Sequence, residues 1–140
     1  MDVIFRFGTE ADIPEVLALW DVAAENDARP ADDPGKVAAV IARDAEALEL
    51  ALVEDRIVGS LISGWDGWRA HLYRLAVHPS VRRQGLGRQL LARAERRLVA
   101  LGATRIDAMV LDGNELGQSL WTAEGYARQP EWRRWVRPVG

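Results

Sequence analysis

At 140 residues the chain has the length of one domain with a real hydrophobic core. It contains no cysteine, two histidines and no apolar run near the ~20 residues of a membrane span, which excludes disulfide frameworks, thiol nucleophiles and cysteine-based zinc sites. The formal net charge is −3, yet the stretch from Ser80 to Leu98 holds six arginines against Glu95 alone, so the rest of the chain is strongly acidic.

Val3, Phe5 and Phe7 alternate as a first strand. Asp12-Ile13-Pro14-Glu15 predicts a helix start, with Asp12 as cap, Pro14 in the first turn and Glu15 reaching back. Ile13, Val16, Leu17, Trp20 and Ala24 give that helix one apolar stripe. Asn26 to Asp33 is polar and bears a proline, so it reads as a loop. Asp33-Pro34 opens a second helix that buries Val37, Val40 and Ile41. Leu48, Leu50 and Leu52 alternate as a strand, and Glu54-Asp55-Arg56 turns it into another, Ile57 to Ser63.

Gly64-Trp65-Asp66-Gly67 is a second turn, leading into a strand from Ala70 to Val77. Simple alternation there sends His71, Tyr73, Leu75 and Val77 one way and Leu72, Arg74 and Ala76 the other. Leu86, Leu90, Ala94, Leu98 and Leu101 recur at helical spacing, with Gly102 as the stop. Thr104 to Leu111 predicts a strand, Asn114 to Glu124 a helix ending at Gly125, and Trp132 to Val136 a closing strand. No repeat or linker-like break appears, so residues 1–140 read as a single α/β (α+β) domain.

The stretch joining the fourth strand to the long helix carries most of the chemistry: Val77-His78-Pro79-Ser80-Val81-Arg82-Arg83-Gln84-Gly85-Leu86-Gly87-Arg88. The unpaired amides of a helix's first turn point outward at the positive end of its dipole. Gly85 and Gly87 let a ligand approach that backbone, while Arg82, Arg83 and Arg88 add charge. This is an anion site suited to a phosphate or pyrophosphate. No Gly-Lys-Ser/Thr follows, which excludes a Walker loop, and the third glycine of a dinucleotide fingerprint is missing. A basic helix also invites a nucleic-acid reading, but no aromatic platform interleaves Arg93, Arg96 and Arg97, which fit a solvated helix face. No nucleic-acid, membrane or metal partner is expected.

Arg82-x-x-Gly85-x-Gly87, after a strand ending Leu75-Ala76-Val77-His78-Pro79, resembles the acetyl-CoA signature of the GNAT N-acetyltransferases. Asn114, Gly117, Leu120 and Gly125-Tyr126 resemble that family's later Asn-x-x-Ala-x-x-Leu-Tyr-x-x-x-Gly-Phe segment, with Gly117 for Ala, Trp121 for Tyr and Tyr126 for Phe. The resemblance spans nearly the whole chain and is strongest from Leu72 to Tyr126. It implies a mixed central sheet with helices on both faces, and a splayed strand pair that receives acetyl-CoA. The implied cofactor residues are Leu75, Ala76, Val77, Arg82, Arg83, Gln84, Gly85, Leu86, Gly87, Arg88, Asn114, Gly117 and Trp121.

The implied reaction is direct acetyl transfer from acetyl-CoA to a primary amine of a small molecule or a protein. Two alternatives stay open: N-terminal acetylation of a ribosomal-type protein, and a non-catalytic acyl-CoA-binding module. The amine has to lose a proton and the thiolate gains from an acid. His71 is the first choice of base, since histidine titrates near neutrality; Asp66 and Glu25 follow. The family's usual acid, a tyrosine, is here Trp121, whose indole is no proton source near neutral pH. Tyr126 and Tyr73 are the phenols available instead.

Gly64-Trp65-Asp66-Gly67-Trp68-Arg69 resembles a turn found in a small bacterial branch of the family. Asp66 between Trp65 and Trp68 has the chemistry to hold a cationic amine, as does Glu25; Asp-Gly is equally a turn-former. His78, before Pro79, reads as structural. The N-terminus lacks the basic-then-apolar layout of a signal peptide, so a cytoplasmic protein is expected. Oligomeric state stays open, a homodimer being common in the family.

Overall fold

The computed structural model describes residues 1–23 and 31–140. Strand β1 (Val3–Phe7) leads through a short 3-10 turn into helix α1 (Ile13–Ala23), and α2 (Pro34–Arg43) follows. Then come β2 (Leu48–Val53), β3 (Arg56–Trp65), β4 (Ala70–Val77), α3 (Leu86–Leu101), β5 (Ile106–Ala108) and α4 (Glu115–Ala123). The sheet runs in sequence order from β1 to β5. Its first four strands are antiparallel, and β5 lies parallel to β4.

Local chemistry explains most boundaries. Glu54 and Asp55 take left-handed φ values of 51° and 63° between paired Val53 and Arg56, a two-residue turn whose twist suits the strands. Asp33 caps α2 by accepting the Gly35 amide at 2.7 Å, with Pro34 in the first turn. Gly102, at φ 115°, ends α3, and the Ala103 amide returns to the Leu98 carbonyl at 2.9 Å. At α1 the cap lies earlier than expected. Thr9 and Asp12 form a reciprocal capping box around the 3-10 turn, and Arg6 grips the Asp12 carboxylate at 2.8 and 2.9 Å. That grip holds Asp12 well below the usual carboxylate range, at about 2. Glu15 does not reach back; its carboxylate accepts the Ile57 amide of β3.

One face of the sheet is covered by α1 and α2, where Ile13, Val16, Leu19 and Trp20 pack on Leu48, Leu50 and Ile62. The other face holds α3 and α4, where Leu86, Leu90, Leu98 and Trp121 pack with Leu61 and Leu72. Each fully buried Leu contributes about 1.5–3 kcal/mol relative to exposure. In the stripe of α3, Leu91 is buried while Leu101 is 46% exposed.

Three expectations need correction. Residues 132–136 form no strand, and Trp132 is 66% and Trp135 94% exposed: the two tryptophans and Val136 favour a strand locally, but the segment pairs with no strand of the sheet. The strand expected over Thr104 to Leu111 is confined to Ile106–Ala108. The simple alternation in β4 also breaks. Ser60 pairs with Ala76 and Ile62 with Tyr73, leaving Arg74 and Leu75 opposite Leu61 alone. This is a bulge, and Arg74 sits in it at φ 58°. Beyond it Leu75 and Val77 join the α3 side with Ala70 and Leu72, and Ala76 joins the α1 side. Leu72 and Ala76 therefore face opposite ways. Ala24 and Glu25 lie outside the described residues.

Candidate active site

The bulge stands where β4 leaves β5. Only Ala70, His71 and Leu72 pair with β5, through Ile106, Asp107 and Ala108. From Tyr73 to Val77, β4 has β3 on one side and, among the described residues, no strand on the other. A free edge thus runs through Leu75, Ala76 and Val77 toward the start of α3. Leu75 and Val77 are half-buried and Ala76 is buried.

The connection to α3 is rigidly made. His78 caps the short turn Pro79–Val81, its Nδ1 accepting the Ser80 amide at 3.1 Å, which fits a structural role. Arg82 folds back so that its Nε donates to the Val77 carbonyl at 3.1 Å. Its role is thereby partly to lock the strand end. Arg83 at φ 63° and Gly85 at φ 79° are both left-handed, and Gln84 between them is exposed. Gly85 is the N-cap of α3, with no side chain capping the helix. The first helical bond runs from the Gln89 amide to the Gly85 carbonyl. The amides of Leu86, Gly87 and Arg88 precede it, at the positive end of a 16-residue helix.

The arginines divide. Arg83 is exposed. Arg88 pairs with Glu124 of α4 at 3.2 Å. Gly87 is buried, and a Cβ there would come 3.2 Å from Leu120 of α4, so its missing side chain admits the neighbouring helix. Asn114 caps α4 by accepting the Gly117 amide at 2.9 Å, organising the start of that helix. Arg93 and Arg97 do not form a solvated face. Arg93 pairs with Glu49 and lies 5.1 Å over the Phe5 ring, and Arg97 pairs with Asp44 and donates to Ser63.

His71 and Asp66 lie close together at the turn joining β3 to β4, whereas Tyr126 follows α4. His71 is half-buried on β4, between Gly64 of β3 and Asp107 of β5. Alternation from Ala70 and Leu72 turns it to the α1–α2 side. Asp66 feels the His71 charge, but its carboxylate is held mainly by the amides of Arg69 at 2.6 Å and Trp68 at 2.8 Å. Those bonds keep it below the usual carboxylate range, so one carboxylate oxygen is committed to the turn.

The two indoles do not close around Asp66. Trp65 packs on the α3 side, its ring 3.7 Å from where a Cβ of Gly102 would be, while Trp68 is 88% exposed. This turn therefore sits by the C-terminal end of α3, the far end from Gly85, roughly 24 Å along a helix of this length.

Tyr126 follows α4 and packs on the α3 side of the sheet. Its hydroxyl donates to Glu95 of α3 at 2.8 Å. Burial, together with the Glu95 carboxylate, pushes the phenol far above its ordinary value. It packs edge-on against Trp121, which is itself buried in the core beneath α3.

The elements that sequence patterning missed are Ser60, Trp20 and Arg74. Trp20 Nε1 donates to Ser60 Oγ at 2.8 Å, and Ser60 Oγ donates to the Arg74 carbonyl at 2.8 Å. The one signal was a serine interrupting the buried apolar run Ile57–Ile62.

An uncapped helix start beside a strand edge freed by a bulge is a recognisable arrangement, and comparison with known proteins agrees. Residues 13–126 match the model of the acetyltransferase (GNAT) family. An acetyltransferase of Yersinia enterocolitica is 32% identical over 125 residues, 89% of this chain and 87% of that protein. Among solved structures, a PaiA N-acetyltransferase from Thermoplasma acidophilum in complex with coenzyme A is similar with a TM-score of 0.83 and 17% identity, covering 92% of each chain. A ribosomal-protein-alanine N-acetyltransferase from Brucella melitensis is similar with a TM-score of 0.71 and 25% identity, covering 87% of this chain and 83% of that one. Matching over most of its length in sequence and in fold, the chain belongs to the GNAT acetyltransferase family and is an acyltransferase.

Proposed function

We propose that this enzyme transfers the acetyl group of acetyl-CoA directly to a primary amine of a small molecule or protein. The observation that carries this reading is the uncapped, left-handed Gly85 start of α3 beside the free β4 edge. The residues present fit the cosubstrate. Helix-start amides and exposed Arg83 suit its phosphates, and the Leu75–Val77 edge suits an extended amide-bearing arm. When bound, acetyl-CoA supplies an activated thioester. An edge amide beside the thioester carbonyl stabilises charge developing on its oxygen.

His71 takes the proton of the amine, directly or through water, because the nucleophile has to be neutral. Trp121 and Tyr126 are poor acids here, one an indole in the core and the other bonded to Glu95. Water or the arriving ammonium then protonates the thiolate. Protein N-terminal acetylation is the second reading, supported by the likeness to the Brucella enzyme.

The test is a thiol-release assay with acetyl-CoA and a panel of polyamines, amino acids and short peptides. Thiol release that depends on one class of amine is expected, and its chemistry identifies the acceptor. CoA binding with no transfer to any amine would overturn the catalytic reading in favour of a binding module.

A further inference from the structure

We infer that Ser60 is a positioning residue for the cosubstrate edge, holding β4 open without touching the ligand. The last β4 residue paired with β5 is Leu72; Tyr73 still pairs with Ile62 of β3, and the bulge follows at Arg74 and Leu75. A bulge bends its strand and raises the local twist, so this one sets the direction in which Leu75–Val77 leave the sheet. Its central residue, Arg74, has a φ of 58°, uncommon for any residue with a side chain. Such a conformation persists only where its surroundings hold it.

Two contacts do so. The Arg74 carbonyl accepts from Ser60 Oγ, which is itself oriented by the Trp20 indole; Ser60 is 0% and Trp20 2% exposed. The Arg74 guanidinium lies 5.5 Å over the same Trp20 ring and 3.3 Å from Asp32. One buried tryptophan thus fixes both the carbonyl and the side chain of the bulged residue. Removing the Ser60 hydroxyl leaves a buried carbonyl and an indole N–H without their partners, and the bulge has to relax.

The inference rests on the acetyl-CoA reading, and its test separates the two. CoA affinity is measured by calorimetry for wild type, Ser60→Ala, Trp20→Phe and Ser63→Ala. Ser63 is the control: a serine of the same strand, 2% exposed, whose hydroxyl serves Arg97 instead of the bulge. Ser60→Ala is expected to bind CoA about tenfold more weakly, Trp20→Phe about threefold, and Ser63→Ala within about twofold of wild type.

Amide exchange of Leu75 to Val77 in the CoA-free protein is expected to quicken in Ser60→Ala and Trp20→Phe but not in Ser63→Ala. Should Ser60→Ala not fold, Trp20→Phe, which keeps the ring and removes the donor, carries the comparison. Wild type that binds CoA, with Ser60→Ala and Trp20→Phe no weaker than Ser63→Ala, would overturn the inference alone. Wild type that binds no CoA would overturn both the acetyl-CoA reading and the role assigned to Ser60.

Discussion

A Cβ on Gly117 would fall 2.4 Å from Asn114 Nδ2, in the space the Asn114 amide occupies to accept the Gly117 N–H. The two residues are one device: the glycine is small so that the asparagine can cap α4. Gly117→Ala should therefore cost more than its helix propensity alone would return. We expect a loss of about 1 kcal/mol, the usual worth of an N-cap. Asn114→Ala should cost a similar amount, and the double variant should cost less than the sum. Denaturant unfolding of the three variants checks this; additive losses would mean that the two positions act independently.

Tyr126 should prove structural. Its hydroxyl is spent on Glu95, so Tyr126→Phe should lose about 1 kcal/mol of stability and leave turnover within about threefold of wild type. The pH dependence has a definite sign. A phenol held above its unfolded value contributes stability that is fully present below about pH 10 and lost as pH rises beyond it. Melting temperatures between pH 9 and 11 should fall more steeply for wild type than for Tyr126→Phe. Turnover that collapses in Tyr126→Phe would restore it as the acid.

The arginines at the α3 start should not be equivalent. Arg83 is exposed, whereas Arg88 already pairs with Glu124. Charge-assisted bonds to a phosphate contribute about 1.5–3 kcal/mol each when partly shielded. Arg83→Ala should weaken CoA binding by about tenfold or more, and Arg88→Ala by less. Calorimetry at two salt concentrations checks both, the wild-type affinity falling as salt rises. Equal and negligible effects would leave both arginines as solvated surface.

If His71 deprotonates the amine, His71→Ala should lower turnover most near neutral pH and shift the ascending limb of the pH–rate profile. CoA affinity should stay within about twofold, because His71 lies in the paired part of β4, before the free edge. A profile unchanged in shape would make His71 a packing residue and leave water as the base.

Local chemistry carried much of this fold from the residues alone. The Glu54-Asp55 turn, the Asp33-Pro34 helix start and the Gly102 stop each follow from backbone preferences of one or two residues, and each is present. The Arg82 to Arg88 turn was legible for the same reason. The bulge was not. It depends on a tertiary contact between Trp20 of α1, Ser60 of β3 and Arg74 of β4, which no periodicity in β4 encodes. That single extra residue misassigned the facing of Leu75, Ala76 and Val77.

Asp66 was ambiguous in sequence, since Asp-Gly serves turns and ligands alike; its bonds to the Trp68 and Arg69 amides show the turn-forming use. The aromatic segment Trp132 to Val136 fits a strand by propensity but is not paired into the sheet, and propensity without a paired neighbour does not make a strand.

The most direct test of the central claim is CoA binding at the α3 start, measured by calorimetry on wild type and Gly85→Val. Gly85 holds a φ of 79°, and a Cβ there would meet only the Gln89 side-chain Nε2, at 3.9 Å, so a branched residue meets backbone strain instead of a core clash. The cost is about 1–2 kcal/mol, which a folded domain can absorb, but the first-turn amides lose their alignment and the added bulk blocks the approach. Wild type should bind CoA, and a Gly85→Val that still folds, its melting temperature lowered by several degrees, should bind at least about a hundredfold more weakly, as expected when several charge-assisted bonds are lost together. Undiminished affinity in folded Gly85→Val would contradict the assignment of the cosubstrate to this turn.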